Sequence, residues 1–410
     1  MHAKAPFYRR NWFLAAVVLL ALLLRAAFVL YYPHSAAPDE DSWRNAALDL
    51  ASGKGFTNLQ RHPGYVVFLA AVFKVFGGAS DTAVRLVQAA LGAVQVLLVF
   101  VLARSVFKKE SVAWLSAILL ALYPYAIFQT AYLLSESFYS FLLVLFVALL
   151  YSLPEQKHRN TLAAAAGLVF GLAILTKSTV LVLTPFTLLW FALNKLPYRA
   201  AAAFLLGASL CVLPWSAHNY RTYGKFVMVT MGGSYLFQAN NPETLGLELE
   251  TRRLNEVQWY TPEYKEIAKL PPVAADREYT SRALSFMRRN PGTVLTLMKM
   301  RFVHFWRLYP ITRSGVQRLA ALLTSGLFIP LAFIGLFLSI AEWRRTFLIW
   351  ALVFAFNFVH LFFICTLRYR IPLDPFLLIF AAYTLTFFYG RFRGAARKGA
   401  APGGGAGGEL

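Results

Sequence analysis

Asp39, Glu40 and Asp41 stand side by side directly after an apolar run over residues 12–32. The chain holds 40 Lys and Arg against 19 Asp and Glu, so three of its scarce acids gather where Ser, Asn or Lys would keep a loop soluble equally well. Two roles fit such a cluster. Acids ahead of a helix cap its free N–H groups and meet the positive end of its dipole. A carboxylate beside an acceptor hydroxyl is instead a general base, which takes the proton as the hydroxyl attacks. Glu136 in "LLSESF" is open to the same two roles. Positive charge comes from Arg61 in "RHPGY", Lys177 in "LTKST", Arg221 in "HNYRTYG", and Arg368 with Arg370 in "LRYRIPLDP". Each of these cations could snorkel or anchor a helix end. Gathered at one face they suit a phosphate or pyrophosphate. A glycosidase normally needs a second carboxylate to protonate a departing alkoxide. A phosphate leaves as a stable anion, so cations can take the place of that acid. One base and several cations is the imbalance this sequence offers.

These residues must be positioned by a membrane protein. The hydrophobic fraction is 58% and charged residues are only 14%, with 36 Phe, 20 Tyr and 9 Trp. Soluble domains average about 25% charged residues. Apolar runs long enough to cross ~30 Å of hydrocarbon recur along the chain. The net charge of +21 raises the question of nucleic acid, but the basic residues sit in short clusters between apolar runs, as the positive-inside rule expects. No nucleic-acid partner is expected. Cys211 and Cys365 lie in separate apolar segments, and His62, His218 and His304 lack metal-ligand spacing. No cofactor is required by this pattern, and a divalent metal is left open. Gly232-Gly233 lacks the strand–helix context of a phosphate loop.

Ten spans are expected, at 12–32, 81–104, 111–129, 136–153, 161–176, 178–194, 199–216, 319–341, 346–366 and 372–390. With the N-terminus inside, this threading puts every short basic loop in the cytoplasm, from Lys4, Arg9 and Arg10 to Arg344-Arg345 and the cluster from Arg391 to Lys398. Both termini are then cytoplasmic. The first run is read as a retained anchor rather than a cleaved signal peptide, because Arg25 interrupts it. Residues 161–194 are too long for one span at 1.5 Å per residue, so the chain must reverse at Thr176-Lys177-Ser178. The run 64–77 is too short to span, and 292–310, with Lys299, Arg301, His304 and Arg307, reads as an amphipathic helix on the membrane surface. Four regions follow: an N-terminal module over 1–217 whose first outer loop is 33–80, an outer segment over 218–318, further spans over 319–390, and a disordered Gly/Ala-rich tail over 391–410. Within the outer pieces a helix is expected over about 40–51, and others broken at Pro271-Pro272.

In order along the chain, "PDEDSWRNAALDLASGKGF", "RHPGYVVFLAAVFKVFG", "TAVRLVQAALGAVQVLLVFVLARSVF", "LLSESF", "GLAILTKSTVLVLTP", "LPWSAHNYRTYGKF" and "RYRIPLDPFLLIFAAY" resemble the bacterial glycosyltransferases of superfamily C. The likeness is to the protein O-mannosyltransferases and lipid A aminoarabinose transferases, and it covers nearly all of residues 12–390. It implies an all-α polytopic fold with juxtamembrane helices on the outer side, and a polyprenyl-phosphate sugar as donor. It carries the acidic pair of the first outer loop onto Asp39, as candidate base, and Glu40. Arg61 and Lys177 are implied as phosphate contacts, with Arg221, Arg368 and Tyr369 matching less closely. His62, Tyr65, Glu136 and Arg370 complete the expected substrate-binding set. "RHPGY" stands where the aminoarabinose enzymes resemble "KPPLYY", and a large C-terminal soluble domain is lacking, so sugar and acceptor stay open.

The expected activity is therefore inverting transfer of a sugar from a polyprenyl phosphate to a hydroxyl of a lipid, glycan or protein. The expected place is the periplasmic face of a bacterial inner membrane, with membrane lipids around the bundle. Tyr65, Trp215 and Tyr369 line the groove or belong to an ordinary interfacial belt. A flippase for the same lipid-linked sugars is the alternative. It would use the cations without the base, and the internal repeats that would favour it are not seen.

Overall fold

The computed structural model describes residues 11–32, 37, 39–58, 61–226, 228–229, 232–249, 261–309 and 315–399. The expected inside placement of Lys4, Arg9 and Arg10, and the last residues of the expected tail, lie outside them. Among the described residues the chain is helical, with short 3-10 turns and no strand. Its first half runs α1 (Asn11–Tyr31), α2 (Glu40–Ala51), α3 (Pro63–Val75), α4 (Asp81–Phe107), α5 (Glu110–Leu122), α6 (Pro124–Gln129), α7 (Ser135–Ser152), α8 (Arg159–Thr176) and α9 (Thr184–Leu193). The second half runs α10 (Tyr198–Tyr223), α11 (Gly232–Ala239), α12 (Thr244–Leu249), α13 (Pro262–Ala268), α14 (Pro272–Arg289), α15 (Pro291–Phe305), α16 (Gly315–Leu338), α17 (Trp343–Phe362) and α18 (Asp374–Gly399).

Among the described residues eight helical stretches are long and apolar enough to cross a membrane, and they contain α1, α4, α7, α8, α10, α16, α17 and α18. The protein is a multi-pass membrane protein. The other two expected spans are built from pieces. Residues 111–129 divide at Tyr123, whose extended backbone precedes Pro124 at the start of α6. Proline removes an N–H and disfavours a helical residue before it, which favours a break in the helix there. Residues 178–194 begin as a 3-10 stretch, Ser178–Leu183, before α9. α18 runs on to Gly399, so the first part of the tail expected to be disordered is helical.

The bundle is drawn tight by small residues. A Cβ at Gly167 would fall 2.0 Å from the Phe204 carbonyl oxygen, and one at Gly207 would fall 2.2 Å from that of Ala164. Glycine at these positions lets α8 and α10 meet backbone to backbone. The rings of Phe146, Phe170 and Phe204 then fill the space between α7, α8 and α10, with centroids 4.8 and 5.3 Å apart along the series. Arg25, fully buried in α1, donates to the carbonyls of Leu120 and Ala121 at 3.1 and 3.2 Å. It thus ties α1 to the last turn of α5, a structural role.

The polar segment after α10 forms its own small apolar cluster, in which Phe237, Ile267, Ala275, Tyr279 and Ala283 join α11, α13 and α14. The expected amphipathic helix exists as α15, but its basic residues do not share one wet face. Arg301 is fully buried and donates to the carbonyls of Ala239 and Leu361, the latter at 2.9 Å, tying α11 and α17 to α15.

Candidate active site

Asp39 is the residue before α2, and it makes no capping hydrogen bond with that helix. Its backbone is already helical there, φ −85° and ψ −17°, whereas a capping residue normally holds an extended conformation. Its carboxylate turns to two arginines instead. Arg61 Nη2 donates to Oδ1 at 3.1 Å, and Arg368 Nη1 donates to Oδ2 at 3.0 Å. Burial alone would raise the Asp39 pKa, but Arg368 and Arg61 outweigh it and hold the carboxyl below its ordinary value.

Arg61 is fixed on its other sides. Its Nε donates to Ser42 Oγ at 2.9 Å, and its guanidinium lies 4.8 Å from the centre of the Trp43 ring, both on the first turns of α2. The next residue, His62, begins α3 and reaches the turn after α8: the Ser178 N–H donates to His62 Nε2 at 3.3 Å, and the Ser178 hydroxyl lies 3.2 Å from the same nitrogen. That bond makes Nε2 the acceptor, so the ring proton sits on Nδ1. Burial, with Lys177 and Arg61 nearby, lowers the imidazole to about 3. His62 is therefore held neutral against the Lys177 turn through Nε2. Gly64 permits the approach, since a Cβ there would fall 2.6 Å from Thr176 Oγ1.

Lys177 leaves the end of α8 with an extended backbone, and its ammonium donates to Glu136 Oε1 at 2.9 Å. Burial lowers its pKa, with the Glu136 carboxylate opposing. It also stands 4.9 Å from the centre of the Tyr369 ring, which stacks on His360 at 5.1 Å. Glu136, in the first turn of α7, receives a second cation on the same oxygen: Arg368 Nε donates to Oε1 at 2.6 Å. Arg61, Asp39, Arg368, Glu136 and Lys177 thus form one continuous chain of contacts, drawn from five separate places in the sequence. Exposure separates the two acids: the Asp39 side chain is 39% exposed and that of Glu136 is 0%.

Several expected site residues lie elsewhere. Glu40 is fully buried and pairs with Arg85 at 3.4 Å, so it faces the bundle rather than an acceptor. Tyr65 is a core residue, its hydroxyl donating to Gln88 Oε1 at 2.9 Å and its ring edge-on to Trp43. Arg370 is fully buried, pairs with Asp374 at 3.1 Å and donates to the Arg307 carbonyl at 2.6 Å. It braces the turn before α18. Arg221 stands exposed on the last turn of α10, outside the chain of contacts. Trp215 donates to the Met228 carbonyl at 2.8 Å and packs on Phe56 and His218.

Sequence reasoning passed over Ser42, Trp43 and Tyr235. The first two lie three and four residues after Asp39, one helical turn on, a spacing that could have marked them. Tyr235 belongs to α11, and its phenol is raised by burial while feeling the charges of Arg61, Asp39 and Arg368. No sequence signal tied that segment to the acids. Among the described residues no group of three or more His, Cys, Asp or Glu is arranged to hold a metal ion.

Residues 60–219 match the family described as dolichyl-phosphate-mannose-protein mannosyltransferase, a stretch that includes Arg61, Glu136 and Lys177. No curated protein matches the chain. Among solved structures, the Archaeoglobus fulgidus oligosaccharyltransferase tethered to an acceptor peptide containing the NVT sequon is 13% identical, with a TM-score of 0.60, covering 95% of this chain and 51% of its own. The same organism's AglB in complex with an inhibitory peptide and a dolichol-phosphate is 14% identical, with a TM-score of 0.60 over 99% and 53% of the two chains. ArnT from Cupriavidus metallidurans bound to undecaprenyl phosphate is 13% identical, with a TM-score of 0.43 over 93% and 78%. The chain spans about half the length of the archaeal structures it matches. It shares its polytopic all-α fold with the archaeal oligosaccharyltransferase structures, and residues 60–219 match the dolichyl-phosphate-mannose-protein mannosyltransferase family.

Proposed function

We propose that the protein transfers a sugar, with inversion, from a polyprenyl-phosphate donor to a hydroxyl acceptor at the periplasmic face of a bacterial inner membrane. The observation that carries this is an asymmetry of exposure. Of the acids Asp39, Glu40 and Glu136, only Asp39 is open to an incoming group, with Arg61 and Arg368 in contact with it and Lys177 reached through Arg368 and Glu136. Retaining and inverting hydrolases bring two working carboxylates to a glycosidic bond. Here the second carboxylate is buried behind the cations, an arrangement suited to a leaving group that is already an anion.

In the proposed reaction Asp39 takes the proton of the acceptor hydroxyl. The oxygen forms a bond to the anomeric carbon as the bond from that carbon to the phosphate oxygen breaks. The departing phosphate keeps the electron pair and is held by Arg61, Lys177 and Arg368 through charge-assisted hydrogen bonds. The donor phosphate competes with Asp39 for both arginines. Its arrival loosens the ion pairs that keep Asp39 acidic, so the carboxylate gains basicity when a donor is present. The archaeal neighbour that binds a dolichol-phosphate lends support to a lipid phosphate as ligand.

Purified protein reconstituted with a panel of polyprenyl-phosphate sugars, and with membrane lipids, glycans and secreted proteins as acceptors, should yield a glycosylated product of inverted anomeric configuration. Absence of product with every donor, together with movement of the lipid-linked sugar across the bilayer, would replace the transferase by a flippase.

A further inference from the structure

The connected chain from Arg61 to Lys177 holds three cations and two carboxylates, so it carries one net positive charge. Neighbouring charges are answered in contacts of their own: Glu40 by Arg85, and Arg44, more than fully, by Asp41 and Asp81. One net positive charge complements one negative charge. A sugar phosphodiester presents one, whereas a diphosphate-linked sugar presents two.

Glu136 is the residue that makes the sum come out this way. It cannot reach substrate, because it is fully buried with Lys177 and Arg368 in front of it. Both cations bond the same atom, Oε1, at 2.9 and 2.6 Å. Oε2 has no hydrogen-bonding protein partner among the described residues. Glu136 borders a cavity of about 20 Å³, also lined by Gln129, Ser137, Ser140 and Asp374, and among the described residues Gln129 Nε2 is likewise without a hydrogen-bonding protein partner. That volume admits a water molecule, which can solvate the rear of the carboxylate. The first turn of α7 adds the favourable end of a helix dipole. The fold thus accommodates a buried carboxylate whose ion-pair partners among the described residues are Lys177 and Arg368. While Glu136 takes Arg368 Nε, Nη1 of that guanidinium donates to Asp39.

We propose that Glu136 is a specificity-determining and positioning residue: it cancels one of three cations from behind and so selects a monophosphate-linked over a diphosphate-linked donor. The inference rests on the transferase reading for the identity of the ligand as a lipid phosphate. A unit charge a few ångströms from a ligand, at a partly buried site, changes affinity on the order of tenfold or more for each charge the ligand carries.

The test titrates purified protein in lipid nanodiscs with a polyprenyl-phosphate sugar and the matching polyprenyl-diphosphate sugar, which carry one and two negative charges, using uncharged polyprenol as a control. Wild-type protein should bind the monophosphate more tightly. Glu136→Gln keeps size and a hydrogen-bond acceptor but raises the net charge to two, and should shift the affinity ratio about tenfold or more toward the diphosphate. Lys177→Met alone lowers the net charge to zero and should shift the ratio the other way, which provides the test if Glu136→Gln does not fold. Combining Glu136→Gln with Lys177→Met restores one net charge, and should return the ratio to the wild-type value while both affinities fall. A purely structural role for Glu136 would not produce that return. An unchanged ratio in a folded Glu136→Gln protein, or no return in the double variant, would overturn the proposal. Failure of the wild-type protein to bind either lipid would overturn it together with the transferase reading. Shifted ratios without transfer to any acceptor would support it while removing that reading.

Discussion

Replacing Lys177 by methionine keeps most of its apolar stem and deletes its ammonium. The side chain is 18% exposed and already holds one charge-assisted bond, to Glu136 at 2.9 Å. Of the three ammonium protons one is engaged there, which leaves two for a phosphate oxygen. A hydrogen bond to a charged group contributes about 1.5–3 kcal/mol, so its loss weakens donor binding about 10- to 100-fold. The larger figure is the better expectation. With Lys177 gone, Glu136 bonds Arg368 alone, and the net charge of the site drops from one to zero. Equilibrium titration of the purified variant with polyprenyl phosphate measures the effect, alongside thermal melting to show that the fold survives. Wild-type affinity in a well-folded Lys177→Met protein would refute the reasoning and reduce Lys177 to a snorkelling side chain at the end of α8.

Two further outcomes test the roles assigned away from substrate. Arg370→Met leaves Asp374 buried without its charge partner, keeping only the hydrogen bond from Tyr123, which costs about 3–5 kcal/mol, so the melting temperature should fall while binding per folded molecule is kept. Weaker donor binding at undiminished stability would return Arg370 to the phosphate site. His62, held neutral at about 3, binds a proton readily only in the unfolded chain, where an ordinary imidazole titrates near 6.5. Between those values the unfolded state holds more protons, so stability falls as pH drops, by up to about 1.4 kcal/mol per pH unit. Melting curves of wild type and His62→Asn from pH 7 to 4.5 should converge as pH falls; parallel curves would remove His62 from its buried contact.

Which residues would need partners was legible in the sequence, because charge at membrane depth must be paired. Which partners they take was not. Arg368 and Arg370 lie two residues apart in "LRYR" and look equivalent. In the 3-10 turns before α18 successive side chains turn by about 120°, so one faces Asp39 and Glu136 while the other faces Asp374. The acidic triplet hides a similar split: Asp39 meets Arg368 from more than 300 residues away, Glu40 turns inward to Arg85, and Asp41 pairs with Arg44. Helix existence followed from apolar run length, and the reversal at Lys177 from a run too long for one span. The break at Tyr123 was visible as Pro124, but hydropathy alone reads through it. The role of α11 had no local signature: Tyr235 feels the charges of Arg61, Asp39 and Arg368 from a segment that no sequence motif ties to them, and Arg301 of α15 donates to the carbonyl of Ala239 in that helix.

The central claim is that Asp39 acts as the base, and Asp39→Asn tests it most directly. Asparagine preserves shape and is itself a good helix cap, so any capping role survives the change. The carboxylate makes no capping bond and instead engages Arg61 and Arg368 at 3.1 and 3.0 Å. Its removal frees both arginines for a phosphate. Loss of a general base lowers turnover roughly 10²- to 10⁴-fold. Measured on one preparation, Asp39→Asn should therefore lose transfer by about that factor while binding polyprenyl phosphate as tightly as wild type or more tightly. Turnover near the wild-type rate would contradict the account.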